Sequence, residues 1–156
     1  MKIHALLKEE MVISELISQE REAVLEEMVN FLKGKEKIEK DRELYEKLIQ
    51  REKLGSTAIG DGIAIPHCKL KEVEDPLLIL AISRKGVHFD SIDGKPTHIF
   101  FLVISSPENP SVNLQILAAI AHLVRKAGSL TKKILQAKSS RRIIEIIREE
   151  EEKLNE

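Results

Sequence analysis

Between Arg51 and His67 the chain reads REKLGSTAIGDGIAIPH, which gathers a cation, two hydroxyls, three glycines and an imidazole in one short segment. Gly55, Gly60 and Gly62 let the backbone approach a ligand closely and adopt positive φ. Successive N–H groups in such a loop can form an anion-binding concavity. Ser56 and Thr57 add hydroxyl donors, and Arg51 can offer a two-pronged fork to phosphate oxygens. His67 follows Pro66, whose missing N–H interrupts a central strand, so the imidazole is expected at a strand end within a partner's reach. With an unperturbed pKa of about 6.5, the ring is largely neutral and nucleophilic near pH 7. These residue types fit a phosphate site with a histidine nucleophile. They fit equally a surface histidine beside a glycine-rich turn, because no single feature here is specific.

Other reactive side chains point less clearly to chemistry. Cys68 follows His67 directly, but adjacent side chains of an extended segment face opposite ways, so a Cys–His nucleophile is not expected. Cys68 reads instead as a small, semi-buried residue. His88, Asp90 and Asp93 cluster around a turn without a recognisable metal-ligand spacing, and no metal is expected. His98 opens a strand and His122 lies within a helix near Arg125; both read as structural or surface residues. The acidic stretch Glu149–Glu152 reads as a solvated helix end that could tune docking to basic partners.

The elements that must hold the central segment can be read from periodicity. A helix is expected after Ser18 as N-cap, with Glu20 and Glu22 near its start. Val24, Leu25, Met28, Val29 and Leu32 share its buried face, and Gly34 supplies a stop. A second helix spans about Asp41–Gln50, burying Leu44, Tyr45, Leu48 and Ile49. The segment GSTAIGDG reads as turn, and IAIP as a short strand. Leu77–Ile82 and His98–Ile104 are strand-length apolar runs around a turn at Asp93-Gly94. Leu114–Val124 is apolar almost all round, which predicts a helix buried on most sides. Ser139 or Ser140 caps a last helix with Ile143, Ile144, Ile146 and Ile147 inward. Helices on either side of a strand-rich middle make an α/β domain: a mixed parallel and antiparallel sheet flanked by helices.

At 156 residues the chain suits one domain, residues 1–156, large enough for a core without disulfides or structural metal. Hydrophobic residues at 42% and charged residues at 33% argue for a globular rather than disordered protein. A net charge of -1 gives no global field for nucleic acid or acidic lipid. One cysteine suits a reducing cytosol, the opening residues lack a signal-peptide pattern, and no apolar run reaches a membrane span. A cytoplasmic location without membrane insertion is expected.

The run STAIGDGIAIPHCKL resembles the signature of type-2 enzyme IIA proteins of the bacterial phosphotransferase system. That family includes fructose- and mannitol-type sugar components and the nitrogen-regulatory enzyme IIA. REKLGSTAIGDGIAIPHCKL together with HFDSIDGKP is most similar to the nitrogen-regulatory branch. The resemblance extends over nearly the whole chain and implies the type-2 enzyme IIA fold. It implies that His67 is phosphorylated by a phosphohistidine HPr-like carrier, with Arg51, Ser56 and Thr57 stabilising the phosphoryl group. Onward transfer would go to an enzyme IIB cysteine in sugar-specific members, whereas nitrogen-type members act on regulatory target proteins. No enzyme IIB or membrane segment follows in the chain, which favours a free-standing regulator. The sequence departs from the family at one point: where many members carry a second active-site histidine in a His-Leu pair, it reads Asn113-Leu114. An Asn amide can donate to a phosphoryl oxygen but cannot change charge near pH 7. No cofactor is implied. A module of the same fold that no longer accepts phosphate is the remaining alternative.

Overall fold

The structure is a computed structural model that describes residues 1–154. A short helix α1 (Ile3–Leu6) and a 3-10 turn (Glu9–Met11) lead into strand β1 (Val12–Ile13). Helices α2 (Arg21–Gly34) and α3 (Asp41–Leu54) follow, then short strands β2 (Ala58–Gly60), β3 (Ile63–Ala64) and β4 (His67–Lys69). Long strands β5 (Leu77–Val87) and β6 (Thr97–Ser105) precede α4 (Pro110–Lys126), α5 (Leu130–Gln136) and α6 (Ser140–Lys153).

The six strands form one mixed sheet in the order β1-β5-β6-β3-β2, with β4 also paired to β6. Strands β5 and β6 are antiparallel, whereas β1 on β5, and β3 and β4 on β6, are parallel. Residues Ile99 to Ile104 of β6 are fully buried, and so are Ile79 to Ile82 of β5. Strands covered on both faces carry unbroken apolar runs instead of alternation, which is why these two were legible by length and composition. Phe89 and Phe100 meet edge to face at 5.1 Å in this core.

The helices follow the expected faces but not the expected ends. In α2 the five anticipated residues from Val24 to Leu32 are all buried. Ser18 does not cap it: the helix starts at Arg21, and the Ile17 and Ser18 amides donate instead to the Glu27 carboxylate. A longer side chain reaching back from the second turn thus holds the segment that leads into the helix. Helix α3 continues past Gln50 to Leu54, because Arg51 to Leu54 are all good helix formers. It stops at Gly55, whose φ of 154° and ψ of 139° belong to a region that side chains avoid. This extension places Arg51 on a helix rather than in the flexible segment.

Helix α4 corrects the expectation of burial on most sides. It is amphipathic, burying Asn113, Ile116, Ile120 and Leu123 along one stripe, while Leu114 is 66% exposed. The alanines between them read as apolar, yet they cost little at a surface and favour helix. In α6 the Ser139 hydroxyl accepts from the Arg142 amide at 3.1 Å, as the cap reading expected. The acidic end of that helix is not a solvated tail, since Glu150 and Glu151 are both buried. Glu151 accepts from the Ile3 and His4 amides at 2.7 and 2.8 Å, tying the first turn of the chain to its last helix. Glu150 meets Lys133 and Lys153, and hydrogen bonding to Lys133 holds its carboxyl below the usual range. Strands β1, β2 and β4 and helix α5 were not foreseen, β2 having been read as turn; each is too short for a periodic signal.

The β5–β6 pairing breaks register between Ile82 and Val87, where Gly86 takes a φ of 92°. A Cβ there would lie 2.8 Å from Pro96 Cβ and 3.0 Å from the His98 ring. Gly86→Ala should therefore destabilise the fold by about 2 kcal/mol or more, combining left-handed strain with a backbone-proximal clash. A urea midpoint equal to that of the parent protein would show that the bulge tolerates a side chain.

Candidate functional site

Strands β3 and β4 run along the same edge of β6. Ile63 and Ala64 pair with Ile99 and Phe100, and His67, Cys68 and Lys69 pair with Val103, Ile104 and Ser105. Between them the ladder is interrupted at Ile65-Pro66. Pro66 has no N–H to donate, but its carbonyl still accepts from the Val103 amide at 3.0 Å. The imidazole thus stands at a strand terminus as expected, at the start of β4, and is half-buried.

The ring is fixed by one contact. His67 Nδ1 lies 2.8 Å from the Ile65 carbonyl oxygen. A carbonyl only accepts, so Nδ1 carries the proton, and in the neutral ring Nε2 then holds the free lone pair. The result is a half-exposed imidazole in one tautomer with its second nitrogen nucleophilic.

Cys68 lies on the other side of the strand. Lys47 and Glu43 of α3 act on its thiol, which places that face against α3. Alternation turns His67 to the opposite face. Burial pushes the Cys68 thiol up to about 12, so it is not ionised near neutrality.

The remaining expected site residues flank the segment without forming a hydrogen-bonded cluster around His67. Arg51 donates from Nη1 to the Gly55 carbonyl at 2.9 Å, closing the end of its own helix. The rest of its guanidinium donors remain available. Ser56 donates its hydroxyl to the Phe89 carbonyl at 2.7 Å and accepts from the Ala58 amide at 3.1 Å. Thr57 is buried, and both its amide and its hydroxyl donate to Glu52, at 2.9 and 2.7 Å. The two hydroxyls therefore spend their hydrogens within the protein and hold the loop in shape. Asn113 lies buried in the second turn of α4, which packs on β6, and its Oδ1 has no hydrogen-bond partner.

Sequence reasoning missed Glu52, a carboxylate only 3% exposed that organises the loop through Thr57. Nothing distinguishes it in sequence from the other acidic residues of a Lys- and Glu-rich helix. The Asp93 carboxylate is a second unforeseen organiser: it accepts from Ser91, the Lys95 amide and the Asp61 amide. These hydrogen bonds, led by the Lys95 amide, hold its carboxyl below the usual range. His88 pairs with Asp90 at 3.3 Å, and among the described residues no group of three or more His, Cys, Asp or Glu could hold a metal ion.

The raised Cys68 thiol yields a direct test. Native protein treated with a thiol reagent at pH 8 should react at least about 100-fold more slowly than the urea-unfolded chain. Comparable rates would mean that the thiol is accessible and ionised.

Residues 5–150 match the family described as phosphoenolpyruvate-dependent sugar phosphotransferase system, EIIA 2. The chain is 36% identical over 148 residues to a PTS system fructose-specific EIIABC component of Bacillus subtilis, covering 94% of this chain and 23% of that longer protein. It is also 36% identical over 107 residues to a nitrogen regulatory protein of Bradyrhizobium diazoefficiens, covering 69% of each. Among solved structures, nitrogen regulatory protein IIA-Ntr from Neisseria meningitidis superposes with a TM-score of 0.81 at 25% identity, covering 93% of this chain and 98% of that one. The extended match, the shared mixed sheet and the REKLGSTAIGDGIAIPH segment lead to one assignment: the chain belongs to the type-2 EIIA family of the phosphoenolpyruvate-dependent sugar phosphotransferase system.

Proposed function

We propose that this protein is a phosphoryl carrier in which His67 Nε2 accepts a phosphoryl group from the phosphohistidine of an HPr-like protein. The observation that carries this reading is the tautomer of His67, since the bond from Nδ1 to Ile65 leaves Nε2 as the nucleophile. In the transfer, the donor's P–N bond breaks as a P–N bond to Nε2 forms, and the donor imidazole recovers its lone pair. No water takes part. A phosphohistidine is already an activated donor, so the protein's task is in-line positioning and stabilisation of the equatorial oxygens.

The free guanidinium donors of Arg51 serve that second task, and the amide of Asn113 adds a neutral donor in place of the family's second histidine. Ser56 and Thr57 contribute by fixing the loop, rather than by direct donation in the unphosphorylated state. The net charge of -1 and the absence, among the described residues, of a helix long and apolar enough to cross a membrane fit a cytoplasmic carrier without membrane insertion.

Regulation through a target protein is the favoured role, supported by the nitrogen-regulatory relatives and the similar IIA-Ntr structure. The alternative is a sugar-specific component that passes the group to an enzyme IIB cysteine, supported by the fructose-specific relative. Delivery of label to a cognate enzyme IIB supports the sugar role, and phosphorylation-dependent capture of a target protein supports regulation.

Incubation with phosphoenolpyruvate, enzyme I and an HPr-like carrier should add one phosphoryl group to His67, read by mass spectrometry. His67→Ala should accept none; a variant still labelled on histidine sinks the assignment, and no transfer from any cognate carrier favours an interaction module instead. Asn113→Ala should slow transfer by roughly tenfold without abolishing it, the loss of one hydrogen bond. Equal rates for variant and parent would remove Asn113 from the site.

A further inference from the structure

A cavity lies beside strand β3, on the edge of β6 that also carries His67. Its volume is about 570 Å³, and its walls include Ile63, Val124 and Leu135 with Arg125, Lys132 and Gln136. That volume lies within the range of small-molecule pockets, which combine apolar walls with a few convergent polar groups. The Thr131 hydroxyl donates to the Asp61 carbonyl at 3.1 Å and stitches the two walls together.

Arg125 and Lys132 have no hydrogen bond or ion pair among the described residues. In three other grooves Arg84 is paired with Glu15, Arg141 with Glu145, and Arg142 with Glu145 and Glu149, while Arg148 and Lys138 have no ion pair among the described residues. The exposed carboxylate of Asp61 also lines the cavity, so its charged groups sum to one net positive charge.

Both walls continue into the phosphoryl site. Ile63 pairs with Ile99 and His67 with Val103, a separation of roughly 13 Å along β6. The other wall is the last turn of α4, whose second turn holds Asn113 roughly 18 Å away along the helix.

We propose that this cavity binds a small organic monoanion: an apolar body against Ile63, Val124 and Leu135, and a carboxylate between Arg125 and Lys132. The assignment stands on the cavity alone and does not depend on phosphoryl transfer at His67. The test is titration of the uniformly ¹⁵N-labelled full chain, followed by amide NMR, with hexanoate, with hexanol for the apolar body alone, and with inorganic phosphate for charge alone. Hexanoate should shift amides of residues 61–63 and 124–136 saturably, with a dissociation constant below about 1 mM. The exposed pair Arg125→Gln and Lys132→Gln, made together, should weaken hexanoate at least about tenfold while leaving the other amide positions unchanged. Shifts that do not saturate, equal shifts from phosphate or hexanol, or undiminished binding by the double variant would each overturn the proposal.

Discussion

The site is built at a break in the strand that pairs with β6. Pro66 cannot donate to the sheet, so the strand that begins at Ile63 is cut after Ala64 and resumes at His67. The cut does not detach the chain, because the Val103 amide still reaches the Pro66 carbonyl. On the other side of the strand the Ile65 amide donates to the Thr57 carbonyl, and the Ile65 carbonyl is the acceptor for His67 Nδ1. Pro66 therefore marks where the imidazole stands, and the Ile65 carbonyl sets which of its nitrogens carries the proton.

Two carboxylates hold the approach to this break. Glu52, at the end of α3, receives both donors of Thr57 and sets the path of the chain into β2. Asp93, at the tip between β5 and β6, receives the Asp61 amide and sets the turn between β2 and β3. The glycine-rich segment is thus anchored at both ends by side chains from elsewhere. For Asp93 the folded carboxyl ionises below its ordinary value of about 3.9, so its contribution is present above that pH and fades as pH falls through the lower folded value. Near neutrality the latch is complete.

Much of this was legible in sequence, and the parts that were not have physical reasons. The β5 and β6 runs, the buried face of α2 and the Ser139 cap follow from local pattern, where each residue reports on its own environment. The position of His67 at a strand terminus follows from Pro66 alone. Ser18 is not the cap because the helix starts only at Arg21, while Glu27, a turn and a half in, binds the Ile17 and Ser18 amides. The exposed side of α4 was hidden because alanine is apolar in composition yet indifferent to water. Glu52 and Glu151 were invisible as buried groups because a Glu in a charged helix declares nothing about what will fold over it. The roles of Thr57 and Ser56 lay in the same blind spot, since a hydroxyl that ties a loop and one that faces a ligand are the same residue in sequence.

Consecutive positions on a strand are also a means of separation. His67 and Cys68 are covalent neighbours and both half-buried, yet the pleat turns them to opposite faces, the thiol un-ionised against α3. Oxidants attack thiolates, and this sulfur presents almost none. The pleat of the chain alone thus keeps the imidazole apart from the chain's one thiol.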